Sequence, residues 1–533
     1  MNKTSIRFFS VFLWLFCLGS FVFSNIEVFA SEKIKTVASK QNKHAKVLYG
    51  MPSKYAQLEI QYQLLELAVA NFDKRYAIQF DKLLTSAQDN KQSYSYQLMI
   101  SYFMIKSFRE KFYSYSWNER QNLQFVSNYV QITKDEIKEY RNMVHTPSME
   151  VSLKVLRPRI DNYLEYRKNL VKYLNTKEEK LQPYDFVQID KTSKGEPVVL
   201  LKKALMVQGF LSKTANLRPY YDDELKIGIK KFQKANDLTP DGIMGELSYK
   251  LLFMTNQERA ILLARSIIRL NDVSFENNNN YVIVNIPEMK MQVIDNNKSI
   301  IESKVVIGRK DRMTPTLTSD IKNVVLNPSW TVPETILKKD YLPILRKDRD
   351  YLNNKGISIL DVNNEVVDPH KLSDSVLTDQ GFKSYRIVQD PGSRNALGQY
   401  KFSFPNKKAV YLHSTSSPIN FARSYRALSS GCVRVEKSRE LAEYLLRKTK
   451  YTPKKISNII KSGKTKWAVV KDAVPVYLVY WTAYINKDKH VVFNADVYDK
   501  ENNVKSLPDE IMNHFQKQNH GKFKIKRLAL LEM

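Results

Sequence analysis

Apolar side chains recur every three or four residues between residues 49 and 175, which is the spacing of one face of an α-helix. The repeat is clearest at Leu58, Tyr62, Leu65 and Val69, and again at Met149, Leu153, Leu156 and Ile160. Glycine is almost absent from this stretch, as expected for helices. We therefore predict a tyrosine-rich helical scaffold domain over residues 31–190. No set of residues in it suggests catalysis, so its expected role is that of a scaffold or a surface for partners.

A second pattern follows, in which short helical repeats are separated by glycine-containing turns. Residues 198–205 form an apolar run, Phe232 and Gln233 end another helix, and Asp241-Gly242 begins a turn that closes at Gly245. Glycine allows turn conformations that other residues avoid. Short helices joined by glycine turns are therefore predicted over residues 195–255.

The second pattern resembles the small three-helix peptidoglycan-binding module, which pairs a Phe-Gln helix with an Asp-Gly-x-x-Gly turn. Taken singly, Phe232 is more typical of a core residue and Asp241-Gly242 of an ordinary tight turn. The whole pattern favours the module. The resemblance implies the fold and leaves open whether the module binds the sugar-peptide polymer.

From residue 281 the apolar positions alternate with a period of two, which is typical of strands. Residues 277–280 are four consecutive asparagines and form a polar break that we interpret as a linker. Strand candidates cover residues 281–285, 290–294, 304–308, 323–326, 409–412 and 474–485. They predict a mainly β domain over residues 277–500. The fold class expected for the whole chain is therefore a multidomain α+β protein.

Residues 336–384 interrupt the strand pattern with charged, helix-compatible sequence, for example the run at residues 345–350. We interpret this stretch as a helical cap insertion. An insertion between strands that flank a reactive site often acts as a lid. A solvent-exposed decoration of the domain explains the same pattern equally well.

The amino terminus has the pattern of a secretion signal over residues 1–30. Lys3 and Arg7 form a positive region, residues 8–23 are apolar, and a small-residue cleavage site ends at Ala30, before Ser31. The sequence thus predicts an exported protein of the periplasm or cell envelope. An uncleaved leader that anchors the chain in the membrane is the alternative, because the apolar run approaches the length of a spanning helix.

The composition is strongly basic, with 84 Lys and Arg residues against 55 Asp and Glu residues and a net charge of +29 over 533 residues. This length predicts two to four domains. A basic surface attracts acidic partners, and for an exported protein these are cell-wall polymers or anionic membranes rather than nucleic acid. A solvated lysine-rich surface explains the charge equally well. The role of the predicted basic C-terminal tail, residues 501–533, stays open.

The chain has two cysteines, and Cys17 lies inside the leader. Cys432 therefore stands alone in the exported chain, which argues against a disulfide framework and against a zinc site built on paired cysteines. No metal or other cofactor is expected. A single thiol outside the cytoplasm is exposed to oxidation, so chemistry is the readiest reason for its presence.

The residues around Cys432 suit nucleophilic catalysis. A thiol attacks a carbonyl as the thiolate, and the imidazole of His413, nineteen residues earlier at the end of an apolar strand, can accept its proton. Gly431 permits a sharp turn, so that nearby amides can form an oxyanion hole. Arg434, two residues beyond Cys432, would share its face and hold a substrate carboxylate.

This constellation resembles that of the bacterial L,D-transpeptidases, in particular their large members with a helical scaffold, a peptidoglycan-binding module and a capped catalytic domain. The family motif is a His, a spacer, a small hydroxyl residue, one further residue, Gly, Cys, and an Arg two positions on. These places are occupied here by His413, Ser429, Ser430, Gly431, Cys432 and Arg434. Smaller members often carry His at the place of Ser430, whereas large members commonly carry Ser.

The resemblance implies a cell-wall cross-linking enzyme whose partners are peptidoglycan stem peptides and glycan. The resemblance implies that Cys432 attacks the carbonyl of the third residue of a donor tetrapeptide and that D-alanine leaves. An acceptor amine then attacks the resulting thioester. Cell-wall synthesis proteins are expected to contact the helical domain. The residues expected to contact substrate are Arg434, Ser429, Ser430, Tyr411, Trp330 and Asn395. Packing or turn formation is an alternative role for Trp330 and the two serines.

Three other functions fit the sequence less well. Sortases also use Cys, His and Arg, but their Arg lies well downstream and their His much further upstream. Papain-like wall endopeptidases place Cys before His, opposite to the order here. A wall-binding adaptor with a decayed catalytic domain is the third, and the intact set of His413, Gly431, Cys432 and Arg434 weighs against it.

Overall fold

The computed structural model describes residues 49–115, 132–158, 160, 162–177, 183, 185–236, 238–270, 279–352, 355–486, 488–501, 504 and 506–515. The predicted leader with Cys17, the first half of the asparagine linker and residues 516–533 of the predicted tail lie outside these residues. Over the described ranges, no helix combines the length and the apolar character needed to cross a membrane.

The N-terminal region is helical, as predicted. Its helices are α1 (Lys54–Ala70), α2 (Lys74–Asp89), α3 (Lys91–Ser114), α4 (Lys134–Met143), α5 (Pro147–Leu156) and α6 (Tyr163–Asn175). Ser53, Asp73 and Asn90 precede α1, α2 and α3, and each side chain accepts a hydrogen bond from an amide in the first turn. Such caps satisfy amides that have no partner inside the helix, so they determine where these helices begin.

A buried ionic network holds α1 against the later helices. Arg167 of α6 lies 2.8 Å from Glu59 and 2.6 Å from Glu66, and Arg157 lies 2.7 Å from Glu59. Burial by itself raises the pKa of Glu59, but the charges of Arg167 and Arg157 outweigh it and hold that pKa at about 2. Because a buried charge without its partner costs several kcal/mol, the network fixes α5 and α6 on α1.

The predicted three-helix module consists of α7 (Glu196–Val207), α8 (Asp223–Ala235) and α9 (Glu246–Leu252). The Gln233 side chain donates to Asp241 and to the Ile243 carbonyl, both at 2.8 Å, and accepts from the Gly242 amide at 2.9 Å. These bonds explain why the Phe-Gln helix and the glycine turn occur together. A cavity of about 260 Å³ separates the module from the β domain, and its lining includes none of the residues around Cys432.

The β domain is built on a closed sheet. Its strands are β1 (Tyr281–Asn285), β2 (Lys290–Asp295), β3 (Lys298–Gly308), β4 (Leu317–Leu326), β5 (Trp330–Thr331), β6 (Ile357–Leu360), β7 (Val366–Val367), β8 (Arg386–Gln389), β9 (Tyr400–Ser403), β10 (Leu412–His413), β11 (Ala427–Ser429), β12 (Val433–Val435) and β13 (Lys466–Val479), followed by β14 (Ala483–Ile485) and β15 (Val491–Phe493). The main sheet has the order β11-β3-β12-β10-β9-β4-β13-β1-β2, and β2 pairs back with β3. This pairing gives the sheet a barrel-like closure, and its interior forms part of the main hydrophobic core.

The segment predicted as a helical cap has helices and also a small sheet. Its α-helices are the short α11 (Glu334–Ile336) and α12 (Leu342–Leu345). Antiparallel strands in the order β5-β8-β6-β7 form a second sheet, and a separate hydrophobic core lies under them. The strands β5 and β8 flank the predicted insertion on either side, so the cap is joined to the barrel through paired strands.

The chain returns to the helical region after β13. The helices α13 (Ser438–Leu445) and α14 (Pro453–Ser462) pack on the barrel, whereas the β14–β15 hairpin contacts α10 (Asn256–Arg269), and α15 (Asp509–Phe515) packs on α2. Glu501 is buried between Arg265, at 2.8 Å, and Arg269 of α10. Glu501 and α15, which lie within the predicted tail, thus take part in the folded junction between the helical region and the β domain.

Candidate active site

His413 and Arg434 lie on neighbouring strands of the main sheet, and Cys432 directly precedes the second of these, β12. Strand β10 lies between β9, to which it is antiparallel, and β12, to which it is parallel. His413 is in register with Lys401 on one side and with Arg434 on the other. Because residues in register project to the same face of a sheet, Lys401, His413 and Arg434 form a row across it.

Tyr411 joins this row to the thiol. Its ring centroid lies 5.6 Å from that of His413. The backbone amide and the hydroxyl of Tyr411 act on the sulfur of Cys432 and lower the pKa of the thiol, and the indole of Trp330 acts on the same hydroxyl. The half-buried Cys432 thiol also lies 4.0 Å from the carbonyl oxygen of Ala409. The structure therefore brings Tyr411, Trp330 and Cys432 together.

Cys432 and His413 are both neutral in the free protein. Burial raises the pKa of the Cys432 thiol, although the bonds from Tyr411 and the charges of Lys401 and Arg434 oppose this. His413 is only 5% exposed. Burial, together with the charge of Arg434, lowers the pKa of His413 to about 3. A neutral imidazole can accept a proton, so the arrangement suits the transfer of the thiol proton to a base when a substrate is attacked.

The loop before Cys432 is held by hydrogen bonds to its own backbone. The Ser429 hydroxyl donates to the Cys432 carbonyl at 2.6 Å and accepts from the Gly431 amide at 3.2 Å. Thr314 donates to the Gly431 carbonyl at 2.8 Å. Gly431 has a φ of 116°, a conformation that only glycine adopts readily. Since the Gly431 amide is engaged by Ser429 here, its role in an oxyanion hole stays a prediction.

Arg434 presents a cation without a counter-charge. Its Nε is buried and has no hydrogen-bond partner, and no carboxylate in the described part of the chain pairs with it. Burial lowers the pKa of Arg434, while Cys432 acts in the opposite direction. A guanidinium binds a carboxylate through two parallel bonds, so Arg434 is suited to an acidic group of a ligand.

The cap is connected to the thiol loop through Arg312. Trp330 at the base of the cap packs edge-on against Tyr341, with ring centroids 6.4 Å apart. Arg312, on the loop after β3, binds Asp340 of the cap through two bonds of 2.5 Å and also donates to the Ser430 hydroxyl at 3.1 Å. Arg312 thus connects the cap to the residue two positions before Cys432.

Asn395 is buried within its own loop and is not part of the row. It is 1% exposed, and its amide nitrogen donates to the Gln389 and Asp390 carbonyls while its oxygen accepts from the Leu397 amide. The side chain is therefore used to shape its own loop. The substrate contact predicted for it remains a prediction.

Sequence reasoning missed Lys401, Arg312 and Asp340. Lys401 lies between the buried aromatic residues Tyr400 and Phe402, and a lysine inside an apolar strand is a signal that was available. Arg312 and Asp340 are 28 residues apart and lie in segments without a motif, so nothing in the sequence pointed to their contact.

Comparison with known proteins identifies the two domains. Residues 279–457 match the family model described as "L,D-transpeptidase catalytic domain", and residues 194–252 match the model described as "Putative peptidoglycan binding domain". These two ranges are therefore similar to an L,D-transpeptidase catalytic domain and to a peptidoglycan-binding domain, the two domain types that the motifs predicted.

A curated relative from Haemophilus influenzae, named "Putative L,D-transpeptidase", is 40% identical over 225 residues. The match spans 42% of this chain and 45% of the relative, so it covers less than half of either protein. Two crystal structures of L,D-transpeptidases are also similar. That from Stackebrandtia nassauensis is 15% identical over 54% of this chain and 94% of its own, with a TM-score of 0.20. That from Xylanimonas cellulosilytica is 13% identical over 56% and 100%, with a TM-score of 0.17. At these TM-scores the two structures add nothing to the argument.

Proposed function

We propose that this protein is a cell-wall L,D-transpeptidase that forms peptidoglycan cross-links by cysteine acyl transfer. The observation that carries the proposal is the setting of Cys432, inside a domain that matches the family. Tyr411, Lys401 and Arg434 all act to lower the pKa of its thiol, and His413 lies in register with Lys401 and Arg434 on the intervening strand. Nearby cations and donors favour the thiolate, so a half-buried thiol in this setting is suited to nucleophilic chemistry.

The first step makes a thioester. His413 accepts the thiol proton while the sulfur of Cys432 attacks the carbonyl of the third residue of a donor tetrapeptide stem. The C–N bond then breaks, the proton passes from His413 to the departing amine, and D-alanine leaves. Arg434 is placed to bind a carboxylate of the donor. Amides of the loop around Gly431 are proposed to stabilise the oxyanion once substrate binding releases them.

The second step transfers the acyl group to an acceptor. An amine from a neighbouring stem attacks the thioester carbonyl and gives up a proton to His413. The C–S bond breaks, and the proton passes from His413 to the departing sulfur, which restores the thiol of Cys432. The new amide bond is the cross-link. A thioester has weak resonance, so amines capture it readily.

The remaining domains are proposed to keep the enzyme at the wall. The α7–α9 module would bind peptidoglycan, and the helical region would contact cell-wall synthesis proteins. The leader over residues 1–30 would export the chain to the periplasm or envelope, where cross-linking contributes to cell shape. The basic surface supports contact with an acidic polymer.

Mass spectrometry of products made from defined tetrapeptide stems tests the proposal. The full-length protein should release D-alanine and form cross-linked dimers, and Cys432→Ala should abolish both while its circular dichroism spectrum is unchanged. His413→Ala should lose transfer, whereas His370→Ala is the matched control, because His370 is exposed on the cap and paired with Asp350.

Two results would contradict the proposal. If Cys432→Ala still forms cross-links at a near wild-type rate, the nucleophile is wrong. If the wild-type protein binds peptidoglycan but releases no D-alanine, while a thiol reagent labels Cys432, the protein is a wall-binding adaptor.

A further inference from the structure

Lys401 is a charged residue on β9, a central strand of the barrel sheet. On β9 it pairs with Val325 of β4 and with His413 of β10. The residues on either side of it, Tyr400 and Phe402, are buried in the core. Its side chain turns to the opposite face and places the ammonium nitrogen 4.2 Å from the centroid of the Tyr411 ring.

The Lys401 ammonium has no carboxylate partner within the described ranges of the chain. Burial lowers its pKa, and the only charge that acts in the opposite direction is that of Cys432. A half-buried cation that no anion compensates is unfavourable. Here the nearby group that can become an anion is the thiol, through loss of its proton.

We propose that Lys401 is a positioning residue that stabilises the thiolate form of Cys432, by its charge and through the hydroxyl of Tyr411. A cation over an aromatic face attracts the electrons of the ring, which makes the phenolic hydrogen a stronger donor to the sulfur. The proton leaves the thiol for His413, and the negative charge that remains on sulfur is balanced by the ammonium. This inference rests on Cys432 being the nucleophile of the proposed function.

Four other groups face the thiol or its loop. Tyr411 and His413 lie on the β10 segment and Arg434 lies on β12, while Arg312 is neutralised by Asp340. Arg434 is the other cation that favours the thiolate. In the proposed reaction, however, its guanidinium binds a carboxylate of the donor, which cancels that charge. When the substrate is bound, Lys401 is then the cation whose charge is still available to stabilise the thiolate of Cys432.

Alkylation of the full-length protein by iodoacetamide tests this proposal. The reagent is uncharged, so its approach is not changed by the loss of a lysine charge, and only the thiolate reacts at an appreciable rate. Loss of one nearby cation should raise the midpoint of the rate-pH profile by about one unit in Lys401→Met. The alkylation rate at pH 7 should fall about tenfold. Lys401→Arg keeps the charge and should stay within about twofold of wild type.

Lys322→Met is the matched control, because Lys322 is exposed on the neighbouring strand β4. It should leave the profile unchanged. Melting temperatures identify any variant that does not fold, and Lys401→Gln, which shortens the chain and adds an amide, is then measured in place of Lys401→Met.

The proposal is overturned if the profile of a folded, uncharged variant superimposes on that of wild type. It is also overturned if Lys401→Arg loses as much reactivity as Lys401→Met, since packing rather than charge would then explain the effect. The readout needs no peptidoglycan, so it separates the two proposals. A profile shift in a protein that forms no cross-links supports the role of Lys401 and refutes the proposed function. Cross-linking without a shift refutes the role of Lys401 alone.

Discussion

Tyr411→Phe removes the hydroxyl that links the cap to the nucleophile. The ring is retained, so its contacts with His413 and Lys401 are kept. The interactions of the hydroxyl with the sulfur and with the Trp330 indole are lost, including the hydrogen bond that the hydroxyl can donate to the thiolate. Burial and the proximity of Cys432 raise the pKa of Tyr411 well above its usual range, so the hydroxyl is a donor at every pH at which the protein is folded.

The size of the effect follows from the charge on sulfur in the reaction. A hydrogen bond to a charged group contributes roughly 1.5 to 3 kcal/mol, and about 1.4 kcal/mol corresponds to a tenfold change in rate. We therefore expect kcat/KM for D-alanine release to fall roughly ten- to a hundredfold in Tyr411→Phe. The rate of alkylation at pH 7 should fall as well, because the thiolate is less stable.

Steady-state release of D-alanine from a tetrapeptide stem measures this effect. Tyr341→Phe is the control, since Tyr341 lies in the same aromatic cluster and packs on Trp330 without contacting the thiol. It should retain near wild-type activity. A loss below twofold in Tyr411→Phe, or an equal loss in both variants, would show that the hydroxyl does not stabilise the sulfur.

Three further predictions concern stability and the thiol loop. Glu501→Gln leaves Arg265 and Arg269 without their carboxylate and should lower the free energy of unfolding in urea by about 3 to 5 kcal/mol. The control Glu510→Gln loses only an ion pair of 3.8 Å with Lys74, so its free energy of unfolding should change little. The folded chain holds His413 neutral down to pH about 3 and the unfolded chain does not, so stability should fall by roughly 2 kcal/mol from pH 6.5 to 4.5. A His413→Gln variant that shows the same fall as wild type would contradict this. Gly431→Ala should cost about 1 to 3 kcal/mol through its positive φ and reduce transfer, although the added methyl has room, 3.7 Å from the Met313 oxygen; unchanged kcat would show that the loop tolerates another conformation.

Periodicity predicted the long elements and failed on the short ones. The helices from α1 to α6 and the strand β1 bury continuous or regularly spaced apolar residues, and such patterns are visible in sequence. The cap sheet was missed because β5 and β7 have two residues each. Strands this short are formed by pairing with distant residues, such as Trp330 with Gln389, and carry no period of their own.

The sequence by itself determined the chemical groups of the candidate site and their order, because His413, Gly431, Cys432 and Arg434 lie within 22 residues and form a recognisable motif. It also determined the types of the domains. Only the tertiary structure decided what surrounds the thiol. The register of β9 with β10 places Lys401 beside the site, and a bond with Asp340 of the cap holds Arg312 next to the thiol loop. The physical reason is that strand register and side-chain contacts between separate segments depend on how the barrel closes. A sequence motif contains only residues that are close to one another along the chain.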